Sequence, residues 1–226
     1  MEGSLADQAY KALKQDIITC SLRPGQQVVQ AQLSEHYGYG ATPVREALQR
    51  LEQEGFVEAV PRFGYVISSI TLRDVGEIYE LRLIIESSAA ALAATRGSDE
   101  ELEVICEDCD FSYVYGDTES YTDFLSRNVE FHRSVAVAAG NERMVDFLTG
   151  LLQEMTRIFH LGLDLRDSAE EMRREHIELA ETLVSRDADR AEQIVREQIE
   201  ASQGRVFEAL TRYGGLVLPR RSAAIS

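Results

Sequence analysis

Lysine is almost missing from this chain: Lys11 and Lys14 are the only two in 226 residues, and every other cation is an arginine. Positive charge as a whole is scarce. Twenty-three Lys and Arg stand against 39 Asp and Glu, a formal net charge of −16 at pH 7. A surface that grips nucleic acid carries a basic footprint, so the bulk charge taken alone counts against such a partner. No apolar run approaches the roughly 18 residues that span a bilayer, and no membrane partner is expected. Cysteines number three, an odd count, which argues against the disulfide framework of a small secreted protein. The opening Met1-Glu2-Gly3-Ser4-Leu5 lacks the basic and apolar regions of a signal peptide. A cytoplasmic location is the expectation. There is no internal repeat and no low-complexity linker.

What is present is ordinary globular composition, 44% hydrophobic and 27% charged, in a chain long enough for two modest cores. The charge is uneven. Residues 1–70 carry 6 Lys and Arg against 8 Asp and Glu, whereas residues 71–226 carry 17 against 31. The acidic part is a poor partner for phosphate. The nearly neutral part would need its few cations on one face.

Apolar periodicity predicts a first helix over about 5–20, with Ala6, Ala9, Tyr10, Leu13 and Ile17 at helical spacing. It stops before the turn Arg23-Pro24-Gly25. A short helix over about 30–37 turns Ala31, Leu33 and Tyr37 inward, and Gly38-Tyr39-Gly40 breaks it. Thr42 is read as the N-cap of a third helix, with Pro43 first and Gly55 as its stop. Two β-rich runs, 56–60 and 65–67, flank Pro61-Arg62-Phe63-Gly64 and read as a hairpin. After Ile70 the pattern is helical throughout. Helices are expected from Thr71 to Gly97, from Ser98, over 119–139, over 141–165, from Ser168, and from Asp187 to Tyr213-Gly214-Gly215, beyond which the tail reads as frayed. The predicted fold class is mainly α: three helices and a hairpin in 1–70, then an all-helical bundle of six or more helices in 71–226.

Two helices joined by a glycine-containing turn and followed by a hairpin make a winged helix-turn-helix pattern. The second helix of the pair turns Thr42, Arg45, Gln49 and Gln53 outward. Arg45 and Gln49 lie one turn apart on an edge that fits a major groove. Arg62 stands at the wing tip, and Lys11 and Lys14 on the first helix are within reach of a phosphate backbone. The candidate DNA-contacting residues are Thr42, Arg45, Gln49, Arg62, Gly64 and Lys11. The competing reading is an ordinary surface helix and an ordinary hairpin.

The stretch "LRPGQQVVQAQLSEHYGYGATPVREALQRLEQEGFVEAVPRFGYVI", residues 22–67, resembles the DNA-binding domain of the GntR family of bacterial regulators. The segments "ELRLIIESSAAALAA" (80–94), "NVEFHRSVAVAAGN" (128–141) and "REHIELAETLVSRDADRAEQIVREQIEAS" (174–202) resemble the ligand-sensing FCD domain of that family's FadR branch. The resemblance implies a homodimer that binds an inverted-repeat operator of double-stranded DNA and changes its grip when an effector enters the helical domain. There is a departure: Gly40 and Ala41 stand where the family usually has Ser or Thr and then a DNA-contacting Arg.

In the helical half, the resemblance implies a site of one Asp and three His for a divalent metal, at positions that read here Asn128, His132, His176 and Gln198. Two imidazoles and two neutral amides make a weak set for a cation. No cofactor is expected. The open alternative is zinc, nickel or manganese on His132, His176 and Asn128. Otherwise these four side chains hydrogen-bond an effector directly, together with Arg82, whose guanidinium suits a carboxylate. Read alone, Arg82 and Glu86 at i,i+4 are a surface ion pair. Cys106 and Cys109 read as ordinary helix cysteines, and Arg173-Arg174 and Arg220-Arg221 as solvated charge. An enzyme, such as a metal-assisted hydrolase on the two His, and a ligand-free helical interaction protein are the rival classes. Neither explains residues 22–67.

Overall fold

The structure, a computed structural model, describes residues 3–162 and 166–212. Arg220-Arg221 and the end of the last helix at 213–215 lie outside them. The chain divides into two compact units that part between Thr71 and Leu72.

The first unit runs α1 (Leu5–Ile18), β1 (Gln27–Val28), α2 (Gln30–Tyr37), α3 (Ala41–Gln53), β2 (Val57–Val60) and β3 (Gly64–Ile67). A capping box opens α1: the Ser4 hydroxyl accepts from the Asp7 amide at 3.2 Å, and the Asp7 carboxylate accepts from the Ser4 amide at 3.1 Å. The apolar faces of α1 and α3 then meet in one core of Ala9, Leu13, Ile17, Val44, Ala47, Leu48 and Leu51. Gly38, at φ +71°, ends α2 in the left-handed conformation. Two local expectations change. Gly40, not Thr42, is the N-cap of α3, and no side chain caps that end. Ala31 is exposed, because only Leu33 of α2 is fully buried.

The hairpin gains a third strand that residue patterning does not reveal, since β1 is only two residues long. The sheet order is β1-β3-β2, all antiparallel, with Gln27 opposite Val66 and Val57 opposite Ile67. Gly64 makes this possible. Its φ is +94°, and a Cβ there would stand 2.6 Å from the carbonyl oxygen of Val28.

The second unit contains six helices among the described residues: α4 (Leu72–Arg96), α5 (Asp99–Glu107), α6 (Thr118–Ala138), α7 (Glu142–Gly162), α8 (Ala169–Val184) and α9 (Ala188–Arg212). Ser98 caps α5 and forms a capping box with Glu101. Ser168 occupies the N-cap position of α8 without capping it: its hydroxyl instead accepts from Arg166. The 25-residue α4 is the axis of the unit and packs along α9, α6, α7 and α8. Ala89, Ala90, Ala93 and Ala94 are all buried on it, and small side chains permit that many close neighbours. Arg186 in the α8–α9 turn donates to the carbonyl of Gly97 at 2.6 Å, closing the C-terminal end of α4.

Gly64→Ala is expected to destabilise the first unit by about 1–3 kcal/mol through backbone strain and the clash with Val28. Chemical denaturation followed by circular dichroism checks this; an unchanged midpoint would show that β1 is dispensable.

Candidate DNA interface and candidate effector pocket

In the first unit, burial of Val44, Ala47, Leu48 and Leu51 turns the opposite face of α3 outward. Thr42, Arg45, Gln49 and Gln53 are exposed along it. The first turn of α3 has no side-chain cap, so its amides are available to an anion. Arg62 is exposed at the hairpin tip, where its φ of +68° puts a non-glycine residue in the left-handed region. Phe63 beside it is 62% exposed, and Gln27 donates to its carbonyl at 2.8 Å. Lys11 is exposed on α1. Lys14 is not the outward cation expected. It donates to Glu54 at 2.7 Å and lies 5.0 Å from the ring centre of Phe56. Arg50 is engaged similarly, paired with Asp7 at 2.7 Å and stacked 3.9 Å over Tyr10. These two cations fasten α3 to α1.

In the second unit, α4 supplies Arg82 and Glu86, α6 supplies Asn128 and His132, α8 supplies His176, and α9 supplies Gln198. All six line one small cavity of about 30 Å³. The surface-pair reading of Arg82 and Glu86 is overturned, because each side chain is only 4% exposed. α4 turns Leu81 and Ile84 toward the surface and Arg82 and Glu86 inward.

Glu86 is the hub. One carboxylate oxygen accepts from Arg82 Nε at 2.5 Å, and the other lies 2.8 Å from His132 Nδ1. Burial pushes its pKa up, but the Arg82 charge and His132 outweigh this and bring it down to about 2. His176 is held neutral: burial drives its pKa well below the ordinary value, and His132 and Arg82 add to the effect. Its ring stacks on Phe111 at 4.7 Å between centroids and meets Phe131 at 4.6 Å. Gln198 donates to the backbone carbonyl of Glu175 at 2.8 Å.

Among the described residues, three buried polar atoms around this cavity have no hydrogen-bond partner: Arg82 Nη1, Asn128 Oδ1 and His176 Nδ1. Phe111, Phe159, Met172, Glu175 and Ser202, which help to build the pocket, escaped sequence reasoning. The signal that was available is the charge pair of Arg82 and Glu86 inside an apolar stretch. Phe111 lies in an irregular segment with no periodicity to mark it. Among the described residues no group of three or more His, Cys, Asp or Glu is placed to hold a metal ion. Cys106 and Cys109 are free thiols. Arg173 pairs with Asp110 at 2.5 Å.

Two family models cover most of the chain. "Bacterial regulatory proteins, gntR family" matches residues 5–67, and "FCD domain" matches residues 77–201. The chain belongs to the GntR family. Within it, an HTH-type regulator from Bacillus subtilis, YdhC, is 30% identical over 192 residues, 83% of this chain and 84% of its own length. The Escherichia coli repressor RspR is 22% identical over 193 residues, 85% of each chain. The solved structure of E. coli McbR/YncC superposes with a TM-score of 0.76 at 22% identity, covering 94% of this chain and 100% of the other. This GntR-family chain is therefore a transcriptional regulator and not an enzyme. Regulators of this family bind DNA, and FCD domains bind small-molecule effectors. No helix among the described residues is long and apolar enough to cross a membrane.

Acid is expected to destabilise the helical unit in two stages. His176 is neutral in the fold, so the unfolded chain gains a proton first as pH falls through about 6.5. Glu86 is ionised in the fold, so its contribution is complete above about pH 4.5 and is lost from there toward 2. Urea midpoints should fall from pH 7 to pH 3. Glu86→Gln should cost about 3–5 kcal/mol at pH 7, because Arg82 is left buried and unpaired, and should flatten the slope below pH 4.5. A variant with the wild-type slope would remove Glu86 from this role.

Proposed function

We propose that this GntR-family regulator is an effector-responsive repressor. It binds an inverted-repeat operator as a homodimer, and a small organic acid or related metabolite in the helical unit changes its grip on DNA. The observation that carries the sensing half is the set of unpartnered atoms on Arg82, Asn128 and His176 around one cavity. A buried polar group without a partner costs about 1–3 kcal/mol, and a ligand that offers an acceptor to the guanidinium and a donor to the amide oxygen removes that cost. The exposed row of Thr42, Arg45 and Gln49, with Arg62 on the wing, supports the DNA half. A symmetric operator calls for a two-fold protein. The name of RspR supports repression.

The sensing is direct, without a metal. A cation in place of the effector would meet the carbonyl of Asn128 and two imidazoles. The two carboxylates that line the pocket are already held, Glu86 by Arg82 and His132 and Glu175 by Arg205. A divalent ion would also sit beside the Arg82 guanidinium, which repels it.

Gel shifts with the promoter beside the protein's own gene test the DNA half. Arg45→Ala should weaken specific binding by about 1–3 kcal/mol per half-site, with the fold intact and light scattering still reporting a dimer. Unchanged operator affinity at fixed salt, or a 25 kDa particle both with and without DNA, would overturn it. Elemental analysis after mild purification should find no stoichiometric zinc, nickel or manganese, and Asn128→Asp with Gln198→His should create a site. One zinc per wild-type chain would favour a metal-bridged effector.

A further inference from the structure

Two thiols, Cys106 and Cys109, straddle the end of α5. Cys106 is in its last turn and half-buried; Cys109 lies just past the C-cap Asp108 and is 4% exposed. The Cys109 thiol folds back and donates to the carbonyl oxygen of Cys106 at 3.0 Å. A continuous helix would hold their Cβ atoms about 5–6 Å apart, too far for the roughly 3.5–4.5 Å of a disulfide. Because Cys109 is outside the helix, its backbone is free to bring the two sulfurs together.

The thiols differ in reactivity. Burial, then Cys106 and Asp110, push the Cys109 thiol up, which makes it a slow first nucleophile. Cys106 is the one that an oxidant reaches. The surface around it is acidic: Glu103, Glu107, Asp108 and Asp110 are exposed. The guanidinium groups beside this segment are engaged, Arg173 with Asp110 and Arg127 with the Asp108 carbonyl and the Phe111 ring. Such a surface repels an anionic disulfide and admits a small uncharged oxidant. The pair is also joined to the pocket. The Phe111 amide donates to the Cys109 carbonyl at 3.2 Å, and the Phe111 ring is the one stacked on His176.

We propose that Cys106 and Cys109 form a redox site for an uncharged hydroperoxide, and that closing it to a disulfide shifts Phe111 on His176. The Cys106 sulfur attacks one peroxide oxygen. The O–O bond breaks, an alcohol leaves with the thiol proton, and Cys106 becomes a sulfenic acid. The Cys109 sulfur then attacks the Cys106 sulfur. The S–S bond forms, the S–O bond breaks, and water leaves with the Cys109 proton. Two thiols are oxidised, and one hydroperoxide is reduced to alcohol and water. The Cys109 sulfur no longer donates to the Cys106 carbonyl, and the turn that carries Phe111 moves with it. This site stands whatever ligand the pocket takes.

The test is treatment of the full chain with tert-butyl hydroperoxide, then alkylation, trypsin and mass spectrometry. The peptide 97–127 holds both cysteines and not Cys20; it should lose two hydrogens and regain them with dithiothreitol. Cys109→Ser should stop at a sulfenic acid on Cys106 that dimedone traps. Cys106→Ser should leave a Cys109 thiol that is oxidised about tenfold more slowly, or slower still. Hydrogen exchange of the wild-type chain should quicken at the Phe111 amide on oxidation and recover on reduction. No loss of hydrogens from the peptide, a disulfide between chains, or glutathione disulfide acting as fast as the hydroperoxide would overturn the site. A disulfide within the peptide with unchanged exchange at Phe111 would overturn its link to the pocket. The wild-type measurements decide both points if a serine variant does not fold.

Discussion

The helical unit depends on one buried ion pair. Arg82 and Glu86 are one turn apart on α4, both almost wholly removed from water, and each would be intolerable there alone. Their mutual attraction is strengthened by the same low dielectric that makes each costly. His132 on α6 takes the carboxylate's other oxygen, so the pair also fixes how α6 approaches α4. His176 on α8 stays neutral chiefly because it is buried, with His132 and the Arg82 charge adding to the effect. The pocket is thus organised by electrostatics before any ligand arrives. The orphaned atoms are those the internal network cannot reach.

The first unit uses charge differently. Lys14 with Glu54 and Arg50 with Asp7 stitch α3 to α1 at the edge of the apolar core. Both pairs are partly exposed, and each adds little by itself. Their effect is geometric: with Tyr10 between them, touching both cations, they hold the angle at which the outer face of α3 is presented.

Much of this was legible in residue order. Periodicity and caps located the helices to within a few residues, because Ser98, Asp187, Gly97 and Gly140 are strong local punctuation. Arg82, Asn128, His132, His176 and Gln198 were gathered only through the likeness to a family; nothing in their spacing across four helices brings them together. What stayed hidden has physical reasons. β1 is two residues long and exists because Gly64 lets β3 approach it. Thr42 has the chemistry of a cap, but the chain enters the helix two residues earlier, through Gly40. Glu86 was misplaced at the surface because i,i+4 pairing is usually a surface device, and only the apolar residues around it on α4 argue otherwise. Phe111 owes its place against His176 to a segment without regular structure.

The stitching of α3 to α1 has a consequence for counterions. Of the six Lys and Arg in residues 1–70, Lys14 and Arg50 are bound to internal carboxylates. Among the described residues this leaves Lys11, Arg23, Arg45 and Arg62 to displace condensed cations from a duplex. In the homodimer proposed above, these side chains would neutralise about eight phosphates, and operator affinity would fall with salt on a log–log slope of about −7. With the rest of the chain strongly acidic, non-specific sliding along DNA is weakly supported. On the proposed reading, the search for a site would rely more on three-dimensional diffusion, and discrimination would fall to the few base edges within reach of α3 and the wing.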